Sequence, residues 1–574
     1  MNSSKTNSFT WHVAITLIAA LLFIPFLGAV HLFDWDEINF AECAREMIVT
    51  HNYSRVQINF QPFWEKPPLF IWLQVLSMKL FGINEFAARF PDALCGILTL
   101  NLIYYFGRKY NNHHFGLLWV LCYGSSFLPF LYFKSGIIDP WFNLFIFLSI
   151  CFILQWFNTN TKKANLNALY AALFAGLAVI TKGPVAIIII GLTFLVSWMR
   201  LRFNPFSNLK NVLLFILVFL ITGLSWFIFE IATGNFAIVK EFIVYQGRLF
   251  STHDSDHEGF LLYHFLILLV GCFPASIFFI PSQTKNLSDT PFQVYAKKWM
   301  LHLFWVVLIL FTIVQTKIAH YSSMCYFPLT YLAAYTIYKI IYAEKHLPKT
   351  ITILGLCLII VLGITFITVG LIDYFIPTLI QSNLFDDAFA VACLQTPVKW
   401  NGFEWVIGVL SLLFSVYFFI NLRKNKKNIY GLFITSLVSI WMVTIFIVPK
   451  IEPYSQGPAI EFYESLRGKD CYVETIGFKS YAQFFYTNKQ PKQNPPAMLT
   501  YIKKQEEALT KAHYSGPISF NILSSTWLLE ENIDKPTYFV AKIADVESIK
   551  KNYPNLIELY KKGGFVFYKR LPKQ

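Results

Sequence analysis

The amino-acid sequence predicts an α-helical protein that crosses a membrane many times and carries a small α/β domain at its C-terminal end. Three observations support this fold class. The chain of 574 residues is 56% hydrophobic and only 14% charged, whereas soluble proteins carry about 25% charged residues. Apolar runs of membrane-spanning length recur throughout residues 1–450. After residue 450 the composition becomes polar.

About thirteen apolar segments approach the roughly 20 residues that a helix needs to cross a bilayer. The two segments between residues 168 and 199 are short, because Lys182-Gly183-Pro184 separates them, and a kinked or re-entrant pair is the alternative. The segments lie near residues 11–31, 86–107, 115–133, 139–157, 168–182, 184–199, 211–231, 260–281, 298–316, 321–341, 349–373, 403–421 and 428–449.

Basic residues occur in alternate loops. Every even-numbered connection between the predicted spans carries Lys or Arg, from Arg108 in the second connection to Lys427 in the twelfth. Because cytoplasmic loops are enriched in basic residues, this alternation predicts a cytoplasmic N-terminus and an outward-facing C-terminal domain. In a bacterium, that arrangement corresponds to the cytoplasmic (inner) membrane with residues 451–574 in the periplasm.

The region after residue 450 shows short β-like runs separated by helical stretches. Cys471–Ile476, Tyr538–Ala541 and Phe565–Tyr568 are rich in aromatic and β-branched residues, and Leu499–Lys511 has a helical pattern. We therefore divide the chain into a transmembrane domain, residues 1–450, and an α/β domain, residues 451–574.

The first outward loop, about residues 32–85, begins with an unusual group of acids. Asp34, Asp36 and Glu37 follow the first predicted span, and a helical pattern begins at Ile38. One acid could cap the N-terminus of that helix, but a cap does not account for three. We interpret Asp36 and Glu37 as candidate catalytic carboxylates.

The same loop continues with Glu65-Lys66-Pro67-Pro68 ahead of a short apolar helix. The two prolines restrict the backbone directly after an acid–base pair. Trp64 and Trp72 are suited to the headgroup level of a membrane, so the alternative is a plain interfacial anchor with a snorkelling Lys66.

The other outward loops supply further ionisable residues at span ends, where such groups are candidates for function. Asp139 begins the fourth span, Lys182 ends the fifth, and Arg248, Lys317 and Tyr321 lie in later outward loops. The cations, together with Lys66, are suited to a phosphate or diphosphate group.

A divalent metal is a further expectation. The stretch from His253 to Glu258 contains two histidines and three acids, and His257 with Glu65 would suit zinc, although Mg²⁺ or Mn²⁺ is an alternative. The sequence contains neither a phosphate-binding glycine loop nor a GxGxxG motif, so we expect no nucleotide cofactor. The net charge of +14 lies mainly in membrane loops, so we expect membrane lipids and no nucleic acid as partners.

These motifs, in this order, resemble the membrane glycosyltransferases of the GT-C class, especially the aminoarabinose (lipid A) transferases and the protein O-mannosyltransferase-like enzymes. The resemblance covers residues 11–345. It departs from the lipid A enzymes at Asn39, where an Arg is usual, and at Phe63, where a Tyr is usual. The matching motifs are Asp36-Glu37, Ala41-Glu42, Ala44-Arg45-Glu46, Glu65-Lys66-Pro67-Pro68-Leu69, Thr181-Lys182-Gly183-Pro184 and Lys317 to Tyr321 ahead of Pro328.

The resemblance implies a GT-C fold, a sugar donor linked to a polyprenyl phosphate, and inversion at the anomeric carbon. It implies that Asp36 is the catalytic aspartate, that Lys66 and Arg248 bind the lipid phosphate, and that Glu65 contacts a metal. Asp139 and Tyr321 would line the site, Asp139 as a further catalytic carboxylate and Tyr321 among the residues that bind the donor phosphate.

The acceptor that the resemblance implies is lipid A or another envelope glycolipid. A protein acceptor is the alternative within the same class. A lipid or sugar transporter is a rival outside that class, but it would need charges or broken helices at the membrane centre, and the polar clusters here gather at one face.

Overall fold

The computed structural model combines a helical body with a C-terminal α/β domain. The residues that it describes are 8–34, 36–158, 161–203, 209–251, 259–283, 289–343, 346–382, 386–511 and 519–572. The helices of the body are α1 (Ser8–Phe23), α2 (Asp36–Thr50), α3 (Leu69–Phe81), α4 (Glu85–Tyr110), α5 (His113–Gly124), α6 (Phe127–Tyr132), α7 (Asp139–Trp156), α8 (Thr161–Lys182), α9 (Val185–Leu201), α10 (Leu209–Ala232), α11 (Phe236–Ser251), α12 (Tyr263–Gly271), α13 (Ala275–Phe279), α14 (Pro291–Ile313), α15 (Tyr326–Tyr342), α16 (Lys349–Gly370), α17 (Ile372–Gln381), α18 (Ala388–Leu394), α19 (Trp405–Ile420), α20 (Asn428–Phe446) and α21 (Val448–Ile451).

Within the described ranges, eight helices are long and apolar enough to cross a membrane, namely α4, α7, α8, α10, α14, α16, α19 and α20. Only 11% of the apolar window of α10 and 22% of that of α16 is buried. Helices this apolar and this exposed need lipid around them, so the protein is a polytopic membrane protein. The count of about thirteen spans stays a prediction.

Two predicted spans are broken into shorter helices. The segment 115–133 divides into α5 and α6 at Ser125 and Ser126, whose hydroxyls donate to the carbonyls of Leu121 and Cys122. The segment 260–281 divides into α12 and α13 just before Pro274, since proline lacks the N–H that a continuous helix needs.

The C-terminal domain is built on one four-stranded sheet. A small hairpin in the outward loop, β1 (Gln57–Ile58) and β2 (Gln61–Pro62), forms a separate pair. The strands of the main sheet are β3 (Tyr472–Ile476), β4 (Thr537–Lys542), β5 (Ile557–Lys562) and β6 (Phe565–Arg570), and its helices are α22 (Gly457–Ser465), α23 (Ala482–Thr487), α24 (Pro496–Lys511), α25 (Phe520–Glu530) and α26 (Val546–Asn552).

The strand order of the main sheet is β3-β4-β6-β5, with β3 parallel to β4 and the other pairs antiparallel. Alternate residues of the strands face different cores. Tyr472 and Phe539 pack with α24, α25 and α26, whereas Val473 and Val540 pack with α22, α23 and the outward loop. The predicted α/β fold is confirmed. Helical turns continue from the end of α20 to Tyr454, across the predicted domain boundary at residue 450. That boundary stays a prediction.

The domain is fixed to the outward loop by polar contacts as well as by this shared core. Arg45 donates to the carbonyl of Lys489 at 2.7 Å while its guanidinium binds both oxygens of Glu42. Lys489 Nζ donates to Asn59 Oδ1 at 2.7 Å, and Asn494 Nδ2 donates to the carbonyl of Asn59 at 3.1 Å. Buried polar groups satisfied across an interface hold it in one arrangement, so the domain is positioned against the body.

Candidate active site

A cavity of about 300 Å³ lies where the outward loop meets the ends of several helices. Its walls come from the starts of α2, α7 and α9, the ends of α8 and α14, and α11. The segment before α3, the 3-10 helix Ala319–Cys325 and the loop between β3 and α23 complete them. The lining residues are Asp36, Asn39, Glu65, Lys66, Ile138, Asp139, Phe142, Asn143, Lys182, Val185, Ile189, Tyr245, Gln246, Arg248, Phe311, Val314, Thr316, Ile318, His320, Tyr321, Ser323, Met324 and Lys479.

The structure brings seven predicted site residues together in this cavity, although they are spread over nearly 300 positions of the chain. Two predicted residues, Glu37 and Lys317, do not line it. The predicted metal ligand His257 lies outside the described residues. The seven that meet are Asp36, Glu65, Lys66, Asp139, Lys182, Arg248 and Tyr321.

Asp36 is the first residue of α2 and lies beside an imidazole. His320 Nε2 is 3.8 Å from Asp36 Oδ2, and 37% of the Asp36 side chain is exposed. Burial lowers the pKa of His320, while the nearby charges of Asp139 and Asp36 oppose this shift. At neutral pH the imidazole is therefore largely uncharged.

Asp139 and Lys182 form a short ion pair at one wall. Lys182 Nζ donates to Asp139 Oδ1 at 2.6 Å, and the Asp139 side chain is 2% exposed. The same ammonium lies 5.7 Å from the centre of the Tyr321 ring. A buried carboxylate is costly without a cation, so Lys182 keeps Asp139 ionised, and much of its own charge is neutralised.

Lys66 and Arg248 form a second cationic group around Tyr245. Lys66 Nζ is 5.5 Å and Arg248 Cζ is 5.4 Å from the centre of this ring. The Tyr245 hydroxyl donates to Glu65 Oε2 at 3.3 Å, and Gln246 Nε2 donates to the Glu65 carbonyl at 3.5 Å. These contacts hold α11 against the loop before α3, with two cations at the cavity.

Glu37 faces away from the cavity and forms a buried ion pair with Arg89. Arg89 Nε and Nη2 donate to its two carboxylate oxygens at 3.0 and 2.8 Å. Burial alone would raise the pKa of Glu37, but the guanidinium and the N–H groups of Phe33 and Gly136 hold it below its usual value. This geometry is that of a structural carboxylate.

The Glu37 contact also fixes the turn that precedes Asp139. Gly136 N donates to Glu37 Oε1 at 2.6 Å, and Ile137 N donates to Asp92 Oδ2 at 2.9 Å. Two buried carboxylates therefore hold consecutive amides of the turn, which sets the position of Asp139 at the start of α7.

Lys317 is occupied by backbone carbonyls near the end of α14. Its Nζ donates to the carbonyls of Phe311 and Thr312 at 3.1 and 2.6 Å, and also to that of Val314. Burial lowers the pKa of Lys317. The residue satisfies carbonyls that a helix end leaves unpaired, a structural role that the sequence does not distinguish from phosphate binding.

Several lining residues were not among the predicted site residues. His320 is adjacent to the predicted Tyr321, and Tyr245 begins the outward stretch that contains Arg248. Their positions in the sequence could therefore have identified both as site residues. Asn143 and Ser323 lie within apolar surroundings, where Asn143 Nδ2 donates to Ser323 Oγ at 2.8 Å. Lys479 carried no signal, because it belongs to the C-terminal domain.

The described residues contain a group with metal-ligand geometry away from this cavity, formed by His31, Glu85 and Glu464. Glu65 is not part of it. Since His257 lies outside the described residues, the expected metal at Glu65 and His257 stays a prediction.

The sequence and the fold are similar to known membrane glycosyltransferases. A family profile described as dolichyl-phosphate-mannose-protein mannosyltransferase matches residues 65–226. The chain is 25% identical over 345 residues to the undecaprenyl phosphate-alpha-4-amino-4-deoxy-L-arabinose arabinosyl transferase of Wigglesworthia glossinidia brevipalpis, which covers 59% of this chain and 60% of that protein. It is 27% identical over 340 residues to such a transferase of Proteus mirabilis, which covers 59% and 61%.

These alignments span less than two thirds of the relatives' length, but the structural similarity extends further. The structure matches that of ArnT from Cupriavidus metallidurans bound to undecaprenyl phosphate with a TM-score of 0.74 at 16% identity, over 98% of both chains. The predicted GT-C fold is confirmed, as is the resemblance to the GT-C transferases that the motifs indicated.

Proposed function

We propose that this chain is a membrane glycosyltransferase that moves a sugar from a polyprenyl-phosphate donor to an acceptor at the outer face of the bacterial inner membrane. The observation that carries the proposal is the cavity itself, where the Lys66–Arg248 pair lies near Asp36 and His320. Cations for a phosphate and a carboxylate for a hydroxyl are what this transfer requires.

Lys66 and Arg248 are assigned to the donor phosphate. During transfer the bond between the anomeric carbon and the phosphate oxygen breaks, and its electron pair remains on the phosphate. Two cations preorganised at that oxygen stabilise the charge as it develops, and such stabilisation often contributes most of the rate enhancement of an enzyme. Tyr245 holds both cations in place through its ring.

Asp36 is assigned to the acceptor. An acceptor hydroxyl forms the new bond to the anomeric carbon, and its proton passes to the Asp36 carboxylate, a contribution of about 10²–10⁴-fold. Attack from the side opposite the leaving phosphate inverts the anomeric centre. An acceptor phosphate has already lost its proton, and Asp36 would then orient it.

Asp139 and Tyr321 are assigned to the wall that contacts the sugar. The short Lys182–Asp139 ion pair gives this wall a fixed polar surface, and one carboxylate oxygen of Asp139 has no hydrogen-bond partner among the described residues. A sugar hydroxyl is a donor of the kind that this oxygen needs.

Lipid A, or another envelope glycolipid, is the acceptor that we favour, and a pentose the sugar, because the relatives are named as aminoarabinose transferases. A protein acceptor is the second candidate. It is supported by the family profile, which is described as a protein mannosyltransferase.

A divalent metal beside Glu65 is part of the proposal. Glu65 lines the cavity, its carboxylate oxygens suit Mg²⁺ or Mn²⁺, and an added imidazole would favour zinc. Such an ion would supply positive charge next to the donor phosphate. We expect sugar transfer to be lost after treatment with a chelator and to be restored by adding back one metal. Unchanged transfer after chelation would show that the reaction needs no metal.

The location is supported by the fold and the charge pattern. The body is a multi-pass membrane protein, and the basic loops support a cytoplasmic N-terminus with the cavity and the C-terminal domain in the periplasm. From that side the cavity would be reached by membrane lipids and by acceptors of the outer leaflet.

Mass spectrometry of envelope lipids and glycoproteins tests the function. Cells lacking the gene are complemented with wild type or with Asp36→Asn. We expect a sugar to be lost from lipid A in the null strain and to be restored by wild type alone. Loss from glycopeptides instead would identify a protein acceptor. No covalent change in either fraction, or full restoration by Asp36→Asn, would contradict the proposed chemistry.

A further inference from the structure

The C-terminal domain contributes a charged side chain to the cavity. Lys479 is the one lining residue that lies beyond residue 450 among those described. It belongs to the short loop between β3 and α23, more than 150 positions after the preceding lining residue, Met324. The cavity is therefore formed by two parts of the chain, and the domain completes its wall.

The loop that carries Lys479 is held in one conformation. Thr475 Oγ1 donates to the Phe478 carbonyl at 2.9 Å, and Ala482 N donates to Ser480 Oγ at 3.1 Å. Gly477 has a φ of +81°, and a Cβ there would lie 2.7 Å from Asp545 Oδ2. Glycine is the residue favoured at this backbone conformation, so the sequence supports the turn that presents Lys479.

The neighbouring Tyr481 links this loop to the segment before α3. Its ring is 7% exposed and lies 5.3 Å from Lys479 Nζ. Tyr481 belongs to the same hydrophobic cluster as Phe63, which lies in the segment before α3. Lys479 lines the cavity together with Glu65 and Lys66 of that segment.

The cations in the described lining of the cavity come from several separate elements. The described lining contains four cations, Lys66, Lys182, Arg248 and Lys479, and three carboxylates. Lys182 is committed to Asp139 at 2.6 Å, while Lys66 and Arg248 share the Tyr245 ring and act as one pair. Lys479 comes from a separate element, the loop between β3 and α23, and lines the same cavity.

We propose that Lys479 binds a phosphate oxygen of a substrate in this cavity, so that the C-terminal domain takes part directly in substrate binding. The inference rests on the proposed function and extends it to the second domain. The phosphate belongs either to the polyprenyl donor or to a phosphorylated glycolipid acceptor, and a lysine ammonium serves both as a compact point charge.

Direct binding measurements test this assignment without requiring turnover. The purified full-length protein in detergent is titrated separately with undecaprenyl phosphate and with lipid A. The variants are Lys479→Gln and Lys479→Arg, and the control is Lys504→Gln, since Lys504 is exposed on α24 of the same domain and is not among the residues lining the cavity.

We expect Lys479→Gln to raise the Kd of one probe about tenfold, the usual weight of a charge-assisted hydrogen bond. Lys479→Arg should bind nearly as wild type does, and Lys504→Gln should not differ from it. A weaker Kd for undecaprenyl phosphate assigns Lys479 to the donor, and a weaker Kd for lipid A assigns it to the acceptor.

Equal Kd values for wild type and Lys479→Gln with both probes would overturn the inference, as would failure of wild type to bind either probe. A change of the same size in Lys504→Gln would also overturn it, because the effect would then reflect the general charge of the domain. The proposed function fails separately, if wild type binds the probes but no sugar is transferred in cells.

Discussion

Asp36 and Glu37 are neighbours at the start of α2, yet the fold gives them opposite environments. Asp36 opens into the cavity, 3.8 Å from His320. Glu37 turns inward, where Arg89 and two backbone amides satisfy both of its oxygens. A carboxylate whose bonding capacity is filled by the protein has none left for a substrate, whereas one at an open wall does.

Lys182 and Lys317 repeat this contrast among the cations. Lys182 pairs with Asp139 at the cavity wall, while Lys317 donates to backbone carbonyls near the end of α14. In both comparisons the two residues carry the same charge, and their partners differ. Substitutions at these paired positions should therefore separate loss of function from loss of stability.

Glu37→Gln should produce the largest loss of stability. Removing one charge from a buried ion pair leaves Arg89 uncompensated, and such changes typically cost about 3–5 kcal/mol. We expect a lower Tm and reduced yield in size-exclusion chromatography in detergent. The matched control is Asp36→Asn, which should keep the Tm of wild type because its contact with His320 is long.

Equal Tm losses in the two variants would show that Asp36 is as structural as Glu37. Wild-type Tm for Glu37→Gln would show that the Arg89 ion pair contributes nothing to the fold. Either result would remove the contrast between the neighbouring acids.

Lys317→Met and Lys182→Met should differ in which quantity they change. Lys317→Met leaves carbonyls near the end of α14 without a donor, at a cost of about 1–3 kcal/mol, and we expect a lower Tm with unchanged affinity for undecaprenyl phosphate. Lys182→Met leaves the buried Asp139 without its cation, so we expect a lower Tm as well. The distinguishing result is that sugar transfer falls at a site that still binds the lipid phosphate.

If Lys317→Met bound undecaprenyl phosphate more weakly than wild type but kept the wild-type Tm, Lys317 would be a phosphate-binding residue. Transfer that is normal in Lys182→Met would show that the cavity does not need an ionised Asp139. The two variants are compared in the same detergent, with the Kd for undecaprenyl phosphate and the Tm measured on each.

The partners of these residues also explain which elements and contacts could be predicted from the sequence and which could not. Local patterns were sufficient for α2, whose helical pattern begins at Ile38, and for β3, β4 and β6. The edge strand β5 was missed because its residues are exposed and include Glu558, Lys561 and Lys562, which lack the pattern of a buried strand. Charged residues of this kind protect a sheet edge.

At the site, the sequence identified the residue types but not their partners. Arg89 lies within the apolar segment 86–107, so nothing in the sequence connects it to Glu37, and Lys317 has the same context as Lys182 at the end of a span. Lys479 lies in another domain. Only the packing of α4 against α2, and of the C-terminal domain over the outward loop, decides these contacts.

Glu474→Gln should have the smallest effect and the opposite sign from Glu37→Gln. Glu474 lies on β3 and is buried; its Oε1 accepts a hydrogen bond from Gln483 of α23, and its Oε2 has no partner among the described residues. Burial raises the pKa of this carboxyl above 4.5, and the charge of Lys489 opposes the shift only in part. The folded state therefore holds its proton to a higher pH than the unfolded chain does.

This difference makes Glu474 unfavourable for folding as the pH rises above about 4.5, and the penalty is absent below that value. Glutamine copies the protonated form, so Glu474→Gln should have a higher Tm than wild type at neutral pH, and the two should converge at pH 4. Glu461→Gln, in the exposed pair with Lys562, is the control and should change little. A Glu474→Gln protein less stable than wild type at neutral pH would mean that the ionised carboxylate is needed beside Lys489.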